Sequence, residues 1–237
     1  MKKFLFALFI ICVAASCRVN YNKTVKGNGN MSTENRSFTD LSRIKIRGGI
    51  NVQVEPGAAS LKVEADENLM RYIETKEENG WIIIKTKDNT NLKSNHPIRV
   101  YISTDQIRDI NIAGSGYVKG DGKFSGADRL NIDVAGSGDV QLTVNTPNVN
   151  VDIRGSGTVT LAGETRNASV DIAGSGDYLA QDLLTENTDI DIKGSGDAKI
   201  HADSKIDAKI LGSGSVYYRG KASVHTNSAG SGRVKPM

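Results

Sequence analysis

The sequence predicts an all-β protein folded as a right-handed parallel β-helix, a solenoid whose rungs contain about 18–22 residues each. The first observation is the tripeptide Gly-Ser-Gly, which occurs seven times at intervals of 18 to 22 residues. The second is the strict alternation of apolar and polar residues before these tripeptides, which is typical of a strand with one buried face. Because a unit of about 20 residues cannot bury its apolar face alone, it must stack on its neighbours.

The tripeptides are expected to form the corners of the solenoid. A sharp corner requires positive φ, which glycine adopts without a Cβ penalty. The central serines are expected to stack in a column and to bond backbone groups or one another. The predicted corner glycines are Gly114, Gly116, Gly136, Gly138, Gly155, Gly157, Gly174, Gly176, Gly194, Gly196, Gly212, Gly214, Gly230 and Gly232.

The residues around each corner predict two short strands per unit. Val151 and Ile153 flank the polar Asp152 before one tripeptide, and Val159 and Leu161 alternate in the same way after it. An antiparallel sandwich would favour tight Asn-Gly or Asp-Gly hairpins, which are nearly absent from the repeats. Right-handedness is predicted from the general preference of parallel crossovers.

The N-terminus predicts export. Residues 1–16 combine two lysines, an apolar run and small residues, which is the pattern of a secretory signal peptide. The apolar run is too short to span a bilayer, which needs about 20 residues. The segment Ala14-Ala-Ser-Cys17 resembles the lipobox of bacterial lipoproteins, although leucine is commoner at the place of Ala14. The resemblance implies lipidation at Cys17; an ordinary signal peptide with an incidental cysteine is the alternative.

The rest of the chain predicts a tether and one domain. Residues 17–37 are polar and are expected to form a flexible tether from Cys17, and residues 38–237 to form a single β-solenoid domain. Removing residues 1–16 lowers the net charge from +3 to +1, which gives no electrostatic case for nucleic-acid binding. Cys12 and Cys17 are the only cysteines, so no disulfide or thiolate metal site is expected in the folded part.

Four aspartates recur at the same place in successive units and are expected to face outward in one column. They are Asp133, Asp152, Asp171 and Asp191. Neighbouring carboxylates about 5 Å apart repel by about 0.9 kcal/mol in water-like dielectric. The main interpretation is a solvated ladder that Lys209 closes; a weak cation-binding surface and a catalytic cluster are the alternatives.

Other chemistry is not favoured by the residues. Gly-Ser-Gly differs from the nucleophile elbow Gly-x-Ser-x-Gly, and a strand rather than a helix follows it. The sequence predicts no catalytic residue, no cofactor and no metal site beyond the weak aspartate candidate. A carbohydrate-stacking patch of tyrosines (Tyr101, Tyr117, Tyr178, Tyr217 and Tyr218) is a further alternative.

The chain resembles the GIN-domain family, described as heads of autotransporter adhesins and common among lipoproteins of the Bacteroidetes. The resemblance rests on Gly49-Ile50-Asn51, on Val63-Glu-Ala-Asp-Glu-Asn68, on Asn79-Gly80 before an apolar strand, and on the repeated Ile-x-Gly-Ser-Gly units. It covers roughly residues 38–234. It implies a β-helix-like fold and an adhesin role.

We therefore expect a non-enzymatic cell-envelope lipoprotein that presents a rigid β-helical surface to an envelope protein or glycan. The alternatives are a structural or signalling accessory of the outer membrane, and a carbohydrate-active β-helix enzyme. Arg18 follows Cys17 directly, without an acidic run. This favours the periplasmic face of the outer membrane over the cell surface. The resemblance also favours a small homo-oligomer.

Overall fold

A computed structural model describes residues 23–237, which form twenty strands and one short helix. The helix is α1 (Glu67–Met70). The strands are β1 (Lys23–Lys26), β2 (Met31–Arg36), β3 (Arg43–Gly48), β4 (Asn51–Pro56), β5 (Ser60–Asp66), β6 (Ile73–Glu78), β7 (Trp81–Thr86), β8 (Thr90–Lys93), β9 (Arg99–Thr104), β10 (Asp109–Gly114), β11 (Tyr117–Ser125), β12 (Leu130–Gly136), β13 (Asp139–Asn145), β14 (Asn148–Gly155), β15 (Thr158–Gly174), β16 (Asp177–Gly194), β17 (Ala198–Gly212), β18 (Val216–Arg219), β19 (Ser223–Gly230) and β20 (Val234–Pro236). Within residues 23–237, no helix is long and apolar enough to cross a bilayer.

From β10 onwards the strands stack in parallel, with equivalent residues of successive repeats side by side. Gly136 pairs with Gly155, and Gly155 pairs in turn with Gly174. The same pairing continues through the later repeats, so each rung adds 18 to 22 residues. The prediction of a parallel β-solenoid is confirmed. Strands β2 to β7 and β9 to β20 belong to one 18-stranded sheet.

Isoleucine and valine side chains fill the inside of the solenoid in columns. One column contains Ile46, Ile112, Val134, Ile153, Ile172, Ile192 and Ile210, and none of them is more than 1% exposed. Ile153 pairs with Val134, and Ile172 pairs with Ile192, as the predicted alternation of apolar and polar residues requires. Fully burying a side chain of this size contributes about 1.5–3 kcal/mol. The stacked columns are therefore the main apolar contribution to stability.

The two glycines of each tripeptide meet different steric demands. The first has positive φ in all seven copies, for example 127° at Gly174. The second does not, but a Cβ there would collide with the neighbouring rung, as Gly196 would with the carbonyl oxygen of Gly176. Between them, the backbone N–H of Ser175 donates to the carbonyl oxygen of Gly155 at 2.8 Å. The Ser175 side chain is exposed. At this corner the rungs are therefore joined by the serine backbone and not, as predicted, by its hydroxyl group.

The first half of the chain is only partly a continuation of the solenoid. Strands β3 and β4 pair in parallel with β10 and β11, and β7 and β9 stack on them in turn. Beyond this rung, β2, β5 and β6 run antiparallel to their neighbours. Helix α1 buries Leu69 and Met70 beside them. These elements form a cap over the N-terminal end of the core.

Part of the predicted flexible tether is folded. Met31–Arg36 pairs antiparallel with β5, and Lys23–Lys26 pairs in parallel with β8. The polar composition hid these strands because backbone hydrogen bonds, rather than buried side chains, hold them. Arg36 also donates to the carbonyl oxygen of Ile73 in β6 at 2.9 Å. The predicted signal peptide and Cys17 lie outside the described residues.

A buried carboxylate, Asp66, fastens this segment to the cap. Its side chain is 0% exposed, and His96 Nδ1 lies 3.6 Å from its Oδ1. The backbone N–H of Gly29 donates to it at 3.1 Å, and the Ser94 hydroxyl donates to its other oxygen. The hydrogen bonds from Ser94, His96 and Gly29 lower the pKa of Asp66, although burial acts in the opposite direction. Asp66 thereby ties the segment between β1 and β2 to the loop after β8.

The alternating register predicts opposite outcomes for two adjacent substitutions. Ile172→Asp places an unpaired charge in the core, which costs several kcal/mol and should unfold the domain. Asp171→Asn changes an exposed side chain and should leave the free energy of unfolding within about 0.5 kcal/mol of the wild type. Circular dichroism and thermal melting of both variants measure the difference, and equal effects would contradict the register.

The Asp66 contacts predict an acid-sensitive N-terminal segment. Because the folded-state pKa is lowered, the stabilisation is complete above the unfolded value of about 3.9 and disappears as pH falls through the folded value. Asp66→Asn should speed amide hydrogen exchange in residues 26–30 at pH 7, and the difference from wild type should shrink on acidification. Glu67→Gln, a change at the exposed neighbouring residue, is the control and should leave these amides protected. Equal protection of residues 26–30 in wild type and Asp66→Asn at neutral pH would contradict the role of Asp66.

Candidate functional site

The four predicted aspartates lie in one outward column. Asp133 pairs with Asp152, Asp152 with Asp171, and Asp171 with Asp191. Lys209 follows Asp191 in the same column. Side-chain positions on neighbouring parallel strands are about 4.8 Å apart, so the carboxylates are close enough to repel one another.

Cations in the adjacent outward column neutralise this repulsion. Arg154 bridges two rungs, with nitrogen–oxygen distances of 2.6 Å to Asp152 and 2.8 Å to Asp133. The charges of Asp133 and then of Asp152 raise the pKa of Arg154. Lys193 Nζ lies 3.0 Å from Asp191 in the same way. The column is thus an ion-paired ladder as well as a solvated one.

The ion pairs of the aspartate ladder do not favour a cation-binding surface or a catalytic cluster there. An open groove of about 620 Å³ runs along the ladder from Ser169 to Asn227, and Asp189, Asp191, Asp207 and Lys209 are among its lining residues. A glycosidase acid needs a raised pKa. Here the hydrogen bond from Lys205 lowers the pKa of Asp207 instead. Among residues 23–237, no three His, Cys, Asp or Glu side chains are grouped to hold a metal ion.

Two further polar ladders were not recognised in the sequence. Asp139 and Asp177 directly follow a tripeptide, and each accepts a hydrogen bond at 2.9 Å from a backbone N–H of the next rung. At the opposite corner, Asn187 donates to Asn167 and Asn167 to Asn148, both at 3.1 Å. The sequence does contain a signal for the asparagine ladder, since these three asparagines each stand seven residues before a Gly-Ser-Gly tripeptide. Both ladders join rungs and are structural.

A polar cleft of about 380 Å³ lies on the outer surface of β2, β4, β5 and β9. Tyr101 lies in it, and its hydroxyl donates to Glu64 at 3.2 Å, which fixes the ring. Lys62 Nζ is 4.5 Å from the ring centroid. The remaining polar lining side chains are Asn35, Gln53, Glu55, Ser60 and Ser103. The cleft therefore combines one flat aromatic surface with amide, hydroxyl and carboxylate groups.

The predicted patch of five tyrosines does not exist. Tyr178 is a core residue with 1% exposure, and burial raises the pKa of its hydroxyl. Tyr117 points outward on β11, where its hydroxyl donates to Gln141 at 2.8 Å. Tyr217 lies in β18, near the C-terminal end of the solenoid and many rungs from Tyr101 in β9. Strand alternation places Tyr178 inward beside Val159, and the other four tyrosines are spread over β9, β11 and β18.

The fold and these surfaces define a class, the β-solenoid proteins with an apolar core and polar, ladder-bearing outer sides. Residues 40–222 match the family model described as "Putative auto-transporter adhesin, head GIN domain". The chain belongs to this family. Comparison with curated proteins gives no match.

Solved structures from the Bacteroidetes share the fold. A protein from Bacteroides fragilis named as a putative adhesin has 20% identity and a TM-score of 0.83, covering 90% of this chain and 100% of its own. A Parabacteroides distasonis protein named as a putative lipid binding protein has 26% identity and a TM-score of 0.75, with coverage of 91% and 100%. A Parabacteroides merdae protein named as a putative adhesin has 22% identity and a TM-score of 0.70, with coverage of 91% and 99%.

Proposed function

We propose that this protein is a non-enzymatic, lipid-anchored adhesin of the cell envelope that binds a glycan in the cleft around Tyr101. Membership of an adhesin-head family supports a cell-envelope role. The observation that carries the glycan assignment is the composition of the cleft, with an aromatic ring among amides, hydroxyls and carboxylates. Sugars present apolar C–H faces to aromatic rings and hydroxyl groups to polar side chains.

The geometry of the cleft suits a ligand that arrives from solvent. Glu55 and Ser60 are exposed at its rim, and Gln53 is held in place by a hydrogen bond to Asp121. The ammonium of Lys62 lies over Tyr101, but an exposed cation–π contact of this kind contributes only about 0.5–1 kcal/mol. A sugar ring can therefore displace it and stack on the tyrosine.

Two other functions are less well supported by the residues. Carbohydrate cleavage would use the carboxylates in the groove along the aspartate ladder. Asp191 and Asp207 are ion-paired there, which suits a structural role instead. A lipid-binding role, suggested by the name of one similar structure, requires space for an acyl chain. The apolar cleft beside Phe124 and Leu130 holds only about 10 Å³.

The sequence supports the proposed anchor and location. Cys17 stands at the end of a lipobox-like segment, six residues before β1 begins at Lys23. A chain of that length spans at most about 20 Å, so the N-terminal cap would lie next to the membrane. The absence of an acidic run after Cys17 supports the periplasmic face of the outer membrane.

The binding role predicts retention of a glycan without cleavage. Protein beginning at Arg18 should bind members of a glycan panel, and mass analysis of the bound glycans should show them intact. Tyr101→Ala should weaken binding at least about fivefold, because loss of an aromatic anchor costs roughly 1 kcal/mol or more. Tyr117→Ala, which removes another outward tyrosine, is the control. No binding to any glycan, cleaved products, or equal losses in the two variants would contradict the proposal.

Lipidation at Cys17 predicts that attachment to the membrane depends on this residue. Cys17→Ala should release the protein from the membrane fraction or leave its signal peptide uncut, as cell fractionation and the apparent mass would show. Cys12→Ala, inside the apolar run, should leave anchoring unchanged. Normal processing with full membrane retention of Cys17→Ala would argue against the anchor, and destruction of the wild type by protease added to whole cells would argue against the periplasmic face.

A further inference from the structure

A small two-stranded sheet beside the N-terminal cap is strongly basic. It pairs β1 (Lys23–Lys26) with β8 (Thr90–Lys93) and is separate from the 18-stranded sheet. Three of its eight residues are lysines, and none is a carboxylate. We call this sheet the basic ribbon.

The two sides of the basic ribbon differ in composition. Val25 and Leu92 pair side by side and are half-buried, and Leu92 packs against the core. Because side chains alternate along a strand, the next pair, Lys26 and Lys93, points away from the core, and both lysines are exposed. Lys23, at the start of β1, is exposed as well. The outward side of the ribbon therefore presents two lysines next to each other.

The lysines of the basic ribbon lack a counterion in the part of the chain that the structure describes. No carboxylate of residues 23–237 forms an ion pair with Lys23, Lys26 or Lys93. Like charges directly opposite one another destabilise a sheet. In the aspartate ladder, by contrast, cations in the next column neutralise the stacked charges. The ribbon therefore keeps its positive charge available for an anionic partner outside the chain.

Two more exposed cations border the basic ribbon. Lys87 lies three residues before β8, and its backbone N–H donates to the carbonyl oxygen of Tyr72 at 2.8 Å. This bond brings Arg71, the neighbour of Tyr72, to the same end of the ribbon. Like the ribbon lysines, Lys87 and Arg71 form no ion pair with a carboxylate of the described residues. The basic surface thus extends beyond the two strands.

The carboxylates near the basic ribbon offset only part of this charge. Asp66 is buried beneath the segment that follows β1. Asp88 and Glu74 both pair with Lys85, at 2.8 Å and 3.6 Å. Glu67, in the first turn of α1, is exposed and has no ion pair among the described residues. Five unpaired cations therefore stand against one unpaired carboxylate.

We propose that the basic ribbon docks on the anionic phospholipid headgroups of the membrane and so sets the orientation of the solenoid. This inference rests on the proposed lipid anchor at Cys17. Residues 17–22 join that anchor to β1 and span at most about 20 Å, so the ribbon stays within reach of the headgroups. The joining segment contains Arg18 and no carboxylate. Each lysine held near an anionic leaflet strengthens attachment about fivefold.

Lysine labelling on vesicles tests the docking. Protein without residues 1–17 carries an N-terminal hexahistidine tag and is held on phosphatidylcholine vesicles by a nickel-chelating lipid, with or without added phosphatidylglycerol. A water-soluble acetylating reagent and mass spectrometry then measure the reactivity of each lysine. At low salt, phosphatidylglycerol should slow the labelling of Lys23, Lys26 and Lys93 at least about fivefold. Raising the NaCl concentration should remove this protection, because salt screens exposed charges.

Lysines far from the membrane provide the matched control. Lys199 in β17 and Lys221 after β18 are exposed and should react equally on both kinds of vesicle. The double variant Lys26→Glu, Lys93→Glu should make the labelling of Lys23 independent of phosphatidylglycerol. Lys199→Glu, Lys221→Glu, which changes the charge by the same amount, should leave the ribbon protected. Melting curves establish that both variants fold.

The outcomes separate the docking from the anchor. Equal labelling of the wild-type ribbon on the two kinds of vesicle overturns the docking, and so does protection that the ribbon variant retains. Because the tag takes the place of the lipid, either result leaves the anchor at Cys17 standing. Fractionation of Cys17→Ala tests the anchor by itself, and loss of the anchor does not alter the labelling of the tagged protein.

Discussion

Hydrogen bonds between successive rungs fix the register of the whole solenoid. At each corner, the N–H of the central serine donates to a carbonyl oxygen of the preceding rung, as Ser195 does to Gly174 at 2.8 Å. This bond requires the two backbones to approach more closely than any side chain allows, so both flanking positions are glycine. Once the corners align, equivalent residues on either side must also align.

Alignment has opposite consequences inside and outside the solenoid. Inside, identical apolar side chains stack and exclude water, so repetition stabilises the core. Outside, repetition stacks like charges, so an aspartate at one position is repeated every 4.8 Å or so. The structure resolves this by placing cations in the next column, where Arg154 reaches two carboxylates at once. Amide ladders such as Asn148, Asn167 and Asn187 avoid the problem, because an amide both donates and accepts.

A solenoid must also end, and here the N-terminal end is closed by a change of strand direction. The antiparallel strands β2, β5 and β6 and helix α1 cover the last parallel rung. Asp66 holds this cap to the segment before β2, and Arg36 covers a carbonyl oxygen of the edge strand β6. The same region carries the Tyr101 cleft. The cap therefore combines closure of the core with the cleft that we propose binds a glycan.

The repeating part of this protein is readable from its amino-acid sequence. The spacing of the tripeptides and the alternation before them predicted the parallel solenoid, the buried strand face that carries Val151 and Ile153, and the outward column of aspartates. These features are local and periodic, so one repeat specifies the next. Other features became visible only in the folded chain: the strands in residues 23–36, the antiparallel cap, the ion pairs of Arg154, and the cleft that Tyr101 lines together with Asn35 and Gln53. The strands, the cap and the cleft join residues distant in sequence through backbone pairing, which leaves no periodic trace in the side chains. The ion pairs of Arg154 depend on an arginine whose equivalents in the neighbouring rungs are Ala135 and Ala173.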